Sequence, residues 1–251
     1  MTKHLTSLLL LLTFVVNMNA QITPVVLDSN QANFKTFKWR EFKRSLLFSV
    51  PLAGAGLFSM KYKKGYIDYE FTEERNEHFS KFGSNLDDYL AFAPIGVVGV
   101  LDIFKVPSRS SIANQTLLFI KSELIMIGIT KPLKKITHRT RPGATNNESF
   151  PSGHTAQAFL AATFLHKEFG KNSIWYTIGG YTMASSVGVF RVLNNKHYVS
   201  DVLVGASIGM LSTNLAYLSH KYRWGKKPNL QMTFMPTYRR NNYGFQMLCR
   251  F

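Results

Sequence analysis

Three short segments carry side chains whose types and spacing could bind and cleave a phosphate ester. The first, residues 131–141, contains five Lys and Arg side chains and no acidic one. A basic run of this kind is most often a solvated or membrane-adjacent stretch. Here it closes one apolar segment, and nine residues after Pro142 the second segment opens the next. Its meaning therefore depends on the other two segments.

The second segment, residues 151–154, reads Pro-Ser-Gly-His. Pro, Ser and Gly favour the start of a helix, where free backbone N–H groups and the helix dipole attract an anion. His154 would then lie in the first helical turn, facing whatever is bound. Taken alone, the segment has a simpler interpretation, a capping Ser152 followed by an incidental His.

The third segment, residues 191–201, contains His197 and Asp201. Residues four apart share one face of a helix, so the carboxylate could hold one imidazole nitrogen and leave the lone pair of the other free to attack. One alternative is a pair that only stabilises a helix start. Another is a zinc site, but no third and fourth ligand follow at metal spacing.

In order and spacing, the three segments resemble the signature motifs of the type 2 phosphatidic acid phosphatase (PAP2) family, which also includes bacterial acid phosphatases and vanadium haloperoxidases. The family pattern is Lys, six residues, Arg-Pro; then Pro-Ser-Gly-His; then Ser-Arg, five residues, His, three residues, Asp. The resemblance spans residues 87–218. The matching positions are Lys134, Arg141, Pro142, Pro151, Ser152, Gly153, His154, Arg191, His197 and Asp201. Phe190 departs from the pattern, because the family usually has Ser there.

The resemblance implies a role for each matching side chain. His197 would attack phosphorus and form a phosphohistidine, Asp201 would orient it, and His154 would protonate the leaving oxygen and later activate water. The phosphoryl oxygens would be held by Lys134, Arg141, Ser152, the Gly153 N–H and Arg191. No metal and no cofactor are implied. Phosphoryl transfer depends mostly on positioning and positive charge, which agrees with this set. Phe190 cannot supply the hydroxyl of the usual Ser. Any polar support that this Ser gives elsewhere is therefore missing, but the catalytic residues themselves are intact.

Six apolar segments would position these motifs. They cover residues 46–60, 86–104, 116–130, 154–165, 174–192 and 202–218. Their lengths and lack of strict alternation favour helices over strands. We therefore expect an all-α fold, and the resemblance implies a six-helix bundle of the PAP2 type over residues 46–225, with the site at one end.

The two ends of the chain differ from this bundle. Residues 1–20 have the layout of a secretory signal peptide, with an uncleaved anchor as the alternative, and residues 21–45 form a polar segment. Alternating apolar residues in 226–251, around a turn-forming stretch at 239–244, predict a β-hairpin. The single Cys249 excludes a disulfide framework and a Cys-rich zinc site.

The net charge of +16 indicates an anionic partner, which could be nucleic acid, lipid or a phosphorylated substrate. The export signal and the lack of an aromatic-basic binding module argue against nucleic acid. Apolar segments favour a membrane-embedded bundle over a soluble one, although the mean hydropathy of −0.05 does not. After signal cleavage, three spans would put Lys134 in the cytoplasm, whereas membrane members of the family have the site outside. The sequence leaves this topology open.

These expectations favour a metal-independent phosphatase of the bacterial-type cell envelope, in the inner membrane with a periplasm-facing site or in the periplasm. Its substrate would be a lipid phosphate or pyrophosphate of the phosphatidate, polyprenyl or lipid A type. The alternatives are a soluble periplasmic acid phosphatase of broad specificity and a catalytically degenerate membrane-binding protein. A vanadate-dependent haloperoxidase is disfavoured by the small size of the chain. Nothing in the sequence indicates the oligomeric state.

Overall fold

The computed structural model describes residues 31–60, 64–220, 231–239 and 242–250, with side chains in 39–60 and 64–220. The predicted signal peptide lies outside these residues. The chain divides into two units at His220. In its described part the first unit is all-helical, with helices α1 (Gln31–Ser59), α2 (Ile67–His78), α3 (Leu86–Leu90), α4 (Ala93–Ile103), α5 (Ile112–Thr137), α6 (Gly153–Phe169), α7 (Ile174–Leu193) and α8 (Val199–Ser219).

The all-α class is confirmed for this unit, but the predicted count of six helices is wrong, since the described residues contain eight. The predicted segment 86–104 divides into α3 and α4, because Pro94 in the first turn of α4 cannot continue a preceding helix. Helix α2 forms from a polar segment that lacks an apolar stripe. Two acidic residues, Asp68 and Glu70, lie in its first turn and the basic Arg75 and His78 lie in its last, which suits the helix dipole.

Helix α1 is longer than predicted, because it begins at Gln31 within the segment 21–45 that was assigned to a polar stretch. Its second half packs along α8. The Ser207 hydroxyl donates to the Ser49 carbonyl at 2.7 Å, and a Cβ at Gly56 would lie 2.7 Å from a methyl of Val204. The helix that is longer than predicted thus packs against α8, and this contact cannot be read from the local sequence.

Helices α6 and α8 form the centre of the bundle and run parallel to each other. A Cβ at Gly205 would lie 2.5 Å from the Ser152 carbonyl oxygen, and the Thr213 hydroxyl donates to the Leu160 carbonyl at 3.1 Å. Small residues thus let the two backbones touch. Because the contacts advance together along both chains, the two helix N-termini lie at the same end of the bundle.

Helices α5 and α8 are long and apolar enough to cross a membrane, with mean hydropathies of 1.3 and 1.4. The apolar window of α8 is 61% buried, as the core helix of a soluble bundle would also be. Large apolar side chains are nevertheless exposed on outer helices, among them Leu47, Phe48, Phe58, Ile103 and Leu124. Exposed apolar surface of this extent is typical of contact with lipid or another protein.

The second unit contains strands β1 (Gln231–Arg239) and β2 (Asn242–Arg250). They pair antiparallel, with Gln231 opposite Arg250 and Arg239 opposite Asn242. These strands occupy the C-terminal segment for which alternation of apolar residues predicted a hairpin.

Candidate active site

The three predicted segments meet at the end of the bundle where α6 and α8 begin. The Ser152 N–H donates to the Asp201 carbonyl at 3.0 Å, which joins the second segment to the third. The Gly143 N–H donates to the Asn195 carbonyl at 3.2 Å, which joins the loop after α5 to the loop after α7. Two helix N-termini therefore face the same space as the basic residues, and the field at this end attracts anions.

His197 is almost completely enclosed, with 2% of its surface exposed. Its Nδ1 lies 2.7 Å from the Ser149 carbonyl oxygen. A carbonyl can only accept a hydrogen bond, so Nδ1 carries the proton and Nε2 keeps its lone pair. Burial lowers the pKa of His197 to about 4, against the opposing effect of Asp201. The ring is therefore neutral near pH 7, as a nucleophile must be.

Asp201 lies beside the imidazole but beyond ordinary hydrogen-bond distance. The distance from its Oδ2 to His197 Nδ1 is 3.7 Å. Ser149 connects the two, since its carbonyl accepts from His197 and its hydroxyl donates to Asp201 Oδ2 at 2.5 Å. The reason is that His197 lies in the loop before α8, so the pair does not share a helical face. Asp201 instead caps the helix, accepting from the Tyr198 N–H at 3.0 Å.

Behind Asp201 lies a largely buried ion-pair network that no sequence motif indicates. Arg139 Nη1 donates to Asp201 Oδ1 at 2.7 Å, and its Nη2 donates to Asp68 Oδ2 at 2.6 Å. Asp68, from α2, also accepts from the Ser200 N–H at 2.9 Å. The Tyr198 ring covers the guanidinium at 4.2 Å. Arg139 was one of five similar cations in the sequence and Asp68 lay in a presumed loop, so no local pattern indicated this partnership.

Arg191 and His154 share an acidic partner that was also not assigned. Arg191 is buried, and its Nη1 lies 2.7 Å from Asp87 Oδ2 and 3.1 Å from Asp88 Oδ1. The same Asp88 oxygen lies 3.1 Å from His154 Nε2. Burial and then Arg191 lower the pKa of His154, whereas Asp88 opposes this. In the sequence, Asp87 and Asp88 appeared only as acidic residues near the end of an apolar segment.

The remaining residues predicted to bind phosphate lie at the same end of the bundle. They differ in whether their N–H donors already have hydrogen-bond partners. Lys134 Nζ donates to the Glu148 carbonyl at 2.6 Å. The buried Nε atoms of Arg141 and Arg191 have no hydrogen-bond partner within the described part of the chain. Unsatisfied buried donors are uncommon in proteins, and an oxygen of a bound phosphate could satisfy them.

Ser152 and Gly153 occupy the first positions of α6. The Ser152 hydroxyl is buried, caps the helix by accepting from the Thr155 N–H, and also pairs with the Thr155 hydroxyl at 2.9 Å. A Cβ at Gly153 would meet open space. The backbone at Gly153 is therefore accessible to a ligand, whereas the Ser152 side chain is occupied. Among the described residues, no three His, Cys, Asp or Glu side chains are grouped as a metal site requires.

Phe190, the departure from the family pattern, packs against Phe82 with ring centroids 6.0 Å apart and planes 10° apart. Here an aromatic contact with the loop before α3 replaces the polar contact that a Ser would make. It fastens that loop beside Arg191 without donating a hydrogen bond to the site.

Comparison with known proteins agrees with this architecture. The PAP2 superfamily profile matches residues 115–225, which include all three segments. A lipid A 1-phosphatase of Porphyromonas gingivalis is 34% identical over 179 residues, 71% of this chain and 39% of that protein. The chain thus spans well under half the length of this relative. The part of the chain that carries the three segments is thus similar to the PAP2 superfamily.

Two crystal structures are also similar. Aquifex aeolicus LpxE is 22% identical, with a TM-score of 0.44 over 57% of this chain and 92% of that one. A transmembrane PAP2-type phosphatidylglycerolphosphate phosphatase from Bacillus subtilis is 22% identical, with a TM-score of 0.47 over 70% of this chain and 93% of that one.

Proposed function

We propose that this protein is a metal-independent phosphatase that removes phosphate from a lipid through a phosphohistidine intermediate. The observation that carries the proposal is the state of His197, a buried neutral imidazole whose Nδ1 is fixed as a donor by the Ser149 carbonyl. Its Nε2 lone pair is thereby available, and the cations of the motif segments lie at the same end of the bundle. The match of residues 115–225 to the PAP2 superfamily profile supports the same class of chemistry.

In the proposed first step, His197 Nε2 attacks phosphorus. An N–P bond forms while the P–O bond to the lipid breaks, and the bonding electrons leave with the lipid oxygen. His154 donates a proton to that oxygen. In the second step water attacks phosphorus and gives a proton to His154, and the electrons of the broken N–P bond return to Nε2. The enzyme is then restored and inorganic phosphate is released.

Lys134, Arg141 and Arg191 are proposed to hold the equatorial oxygens of the phosphoryl group, together with the Gly153 N–H. Fixed positive charge stabilises the charge that spreads over these oxygens in the transition state. Asp88 Oδ1 lies 3.1 Å from His154 Nε2, where it can accept a hydrogen bond. The lipid oxygen would replace that acceptor when the substrate binds.

A lipid substrate is supported by the surface around the bundle and by the relatives. Large apolar side chains are exposed on α1, α4, α5 and α7, and α5 and α8 have the length and hydropathy of membrane spans. The relative from P. gingivalis is a lipid A 1-phosphatase. We therefore propose lipid A as the first substrate to test, and a location in the cell envelope with the site facing the periplasm.

The test is phosphate release by the purified, detergent-solubilised full chain in EDTA. Lipid A, phosphatidate, a polyprenyl pyrophosphate and a water-soluble aryl phosphate would be compared, with His197→Ala as the inactive variant. Activity on a lipid that EDTA leaves intact and His197→Ala abolishes supports the proposal. Full activity of His197→Ala would refute the nucleophile, and loss of activity in EDTA would refute metal independence.

The second candidate is a soluble acid phosphatase of broad specificity, which the burial of α8 favours. Activity on the aryl phosphate alone would support it, as would extraction of the protein from membranes by alkaline carbonate. A bundle that spans the membrane would stay in the membrane pellet. No release from any of the four substrates would favour a degenerate binding protein.

A further inference from the structure

Asp68 lies outside the motif segments and outside the residues matched by the family profile, yet it contacts the network behind His197. We infer that Asp68 is a positioning residue for the reaction, which holds Arg139 so that the guanidinium orients Asp201 without cancelling its charge. This inference rests on the proposed function and adds α2 to the catalytic machinery.

The contacts of Asp68 are those of a fixed carboxylate. It has no exposed surface. Its Oδ2 accepts from Arg139 Nη2 and from the Ser200 hydroxyl, both at 2.6 Å, and its Oδ1 accepts from the Ser200 N–H at 2.9 Å. The two partners are themselves tied together, since Arg139 Nη1 donates to the Ser200 hydroxyl at 2.6 Å. Asp68 therefore fixes the guanidinium relative to the start of α8.

Arg139 bridges two buried carboxylates, so the network contains two negative charges and one positive charge. Asp68 and Asp201 have no exposed surface, and each accepts from a different nitrogen of the guanidinium. With His197 neutral, these four side chains carry one net negative charge. When Nε2 bonds to phosphorus and Nδ1 keeps its proton, the ring becomes cationic and the four side chains become neutral overall.

Without the Asp68 charge, the net charge of these side chains would be one unit more positive in both states. Arg139 and Asp201 would then neutralise each other at rest, and the phosphorylated imidazole would leave an uncompensated positive charge in a buried place, which is unfavourable. The negative charge of Asp201, which reaches His197 through Ser149, would also stabilise the cationic imidazole less. Asp68 thus acts on the transition state through Arg139, Asp201 and Ser149 without touching the substrate.

The test uses Asp68→Asn in the full-length protein, with Glu77→Gln, an exposed acid on the same helix, as the matched control. We expect kcat to fall about 10–100-fold, by analogy with the loss seen when the hydrogen-bond partners of metal ligands are removed. KM and the dissociation constant of inorganic phosphate should stay within about twofold, because Asp68 does not contact the ligand. Wild-type kcat in a folded Asp68→Asn variant overturns the inference.

A double variant separates charge balance from simple packing. Asp68→Asn with Arg139→Gln removes one charge of each sign, so the resting charge returns to that of the wild type. We expect its kcat to exceed that of Asp68→Asn alone. The charge-balance explanation would be overturned if the double variant were slower than Asp68→Asn by the same factor by which Arg139→Gln alone slows the wild type.

If Asp68→Asn does not fold, Arg139→Lys carries the test. Lysine keeps the charge but presents a single ammonium, which cannot replace the planar fork between two carboxylates. A folded Arg139→Lys variant should lose kcat with unchanged phosphate affinity, and wild-type kcat would overturn the inference. Failure of the proposed function is a different result, because the wild-type protein would then release no phosphate from any substrate.

Discussion

Replacing Ser149 with Ala tests whether His197 and Asp201 communicate through this residue. The substitution removes the hydroxyl that donates to Asp201 and leaves the carbonyl that accepts from His197. Ser149 is fully buried, so no water can substitute without a change in packing. The backbone contact to the imidazole is retained, and only the connection to the carboxylate is lost.

The expected size follows from the type of bond. A buried hydrogen bond to a charged group contributes about 1.5–3 kcal/mol. If this is lost in the transition state, kcat falls about 10-fold to 150-fold, since about 1.4 kcal/mol corresponds to a factor of ten. Asp201 keeps its bonds from Arg139 and from the Tyr198 N–H, so we expect the fold to survive. KM should change little.

The assay is steady-state phosphate release, with thermal unfolding as a check on the fold. Ser212→Ala is the matched control, because Ser212 is also fully buried and its hydroxyl has no hydrogen-bond partner in the described part of the chain. A Ser149→Ala enzyme with wild-type kcat would refute the reasoning and favour a direct bond between Asp201 and the imidazole. An equal loss of kcat in Ser212→Ala would show that the effect is one of packing.

Three further predictions concern the pH profile and the packing that forms the site. Asp88→Asn removes the carboxylate that raises the pKa of His154, so the alkaline limb of the kcat profile should move to lower pH. The acidic limb of kcat/KM should lie near pH 4, because His197 is an effective nucleophile only above its pKa of about 4. Gly205→Ala should lower the unfolding free energy by about 1–3 kcal/mol, measured by denaturant titration, because a Cβ there would lie 2.5 Å from the Ser152 carbonyl oxygen.

The chain offers controls for these experiments. Glu77→Gln, at an exposed position, should leave the pH profile in place, and an alkaline limb that does not move in Asp88→Asn would contradict the pairing with His154. Gly54→Ala in α1 meets nothing within 4 Å. It should not destabilise the protein, since Ala is the better helix former. Equal losses in Gly205→Ala and Gly54→Ala would argue against the close contact of α6 with α8.

The sequence by itself determined the features that neighbouring residues control. The Pro-Ser-Gly-His segment predicted a helix start at Gly153, and the structure has one with Ser152 as its cap. The resemblance to the PAP2 motifs also predicts that His197 and Arg191 belong to one site. Helix starts, caps and apolar periodicity involve residues a few positions apart, so they can be read from a single segment.

Only the tertiary structure decided which partner each of these side chains has. Asp68 pairs with a backbone N–H 132 positions away, and Ser149 reaches Asp201 from 52 positions away. The partners of α2 were decided in the same way, whereas the break between α3 and α4 follows locally from Pro94. A buried ion pair or hydrogen bond depends on how close two helices can pack, and here small residues such as Gly205 permit that approach. Packing of this kind joins residues that no local pattern relates, and it therefore selected Asp68 and Ser149 from many similar polar side chains.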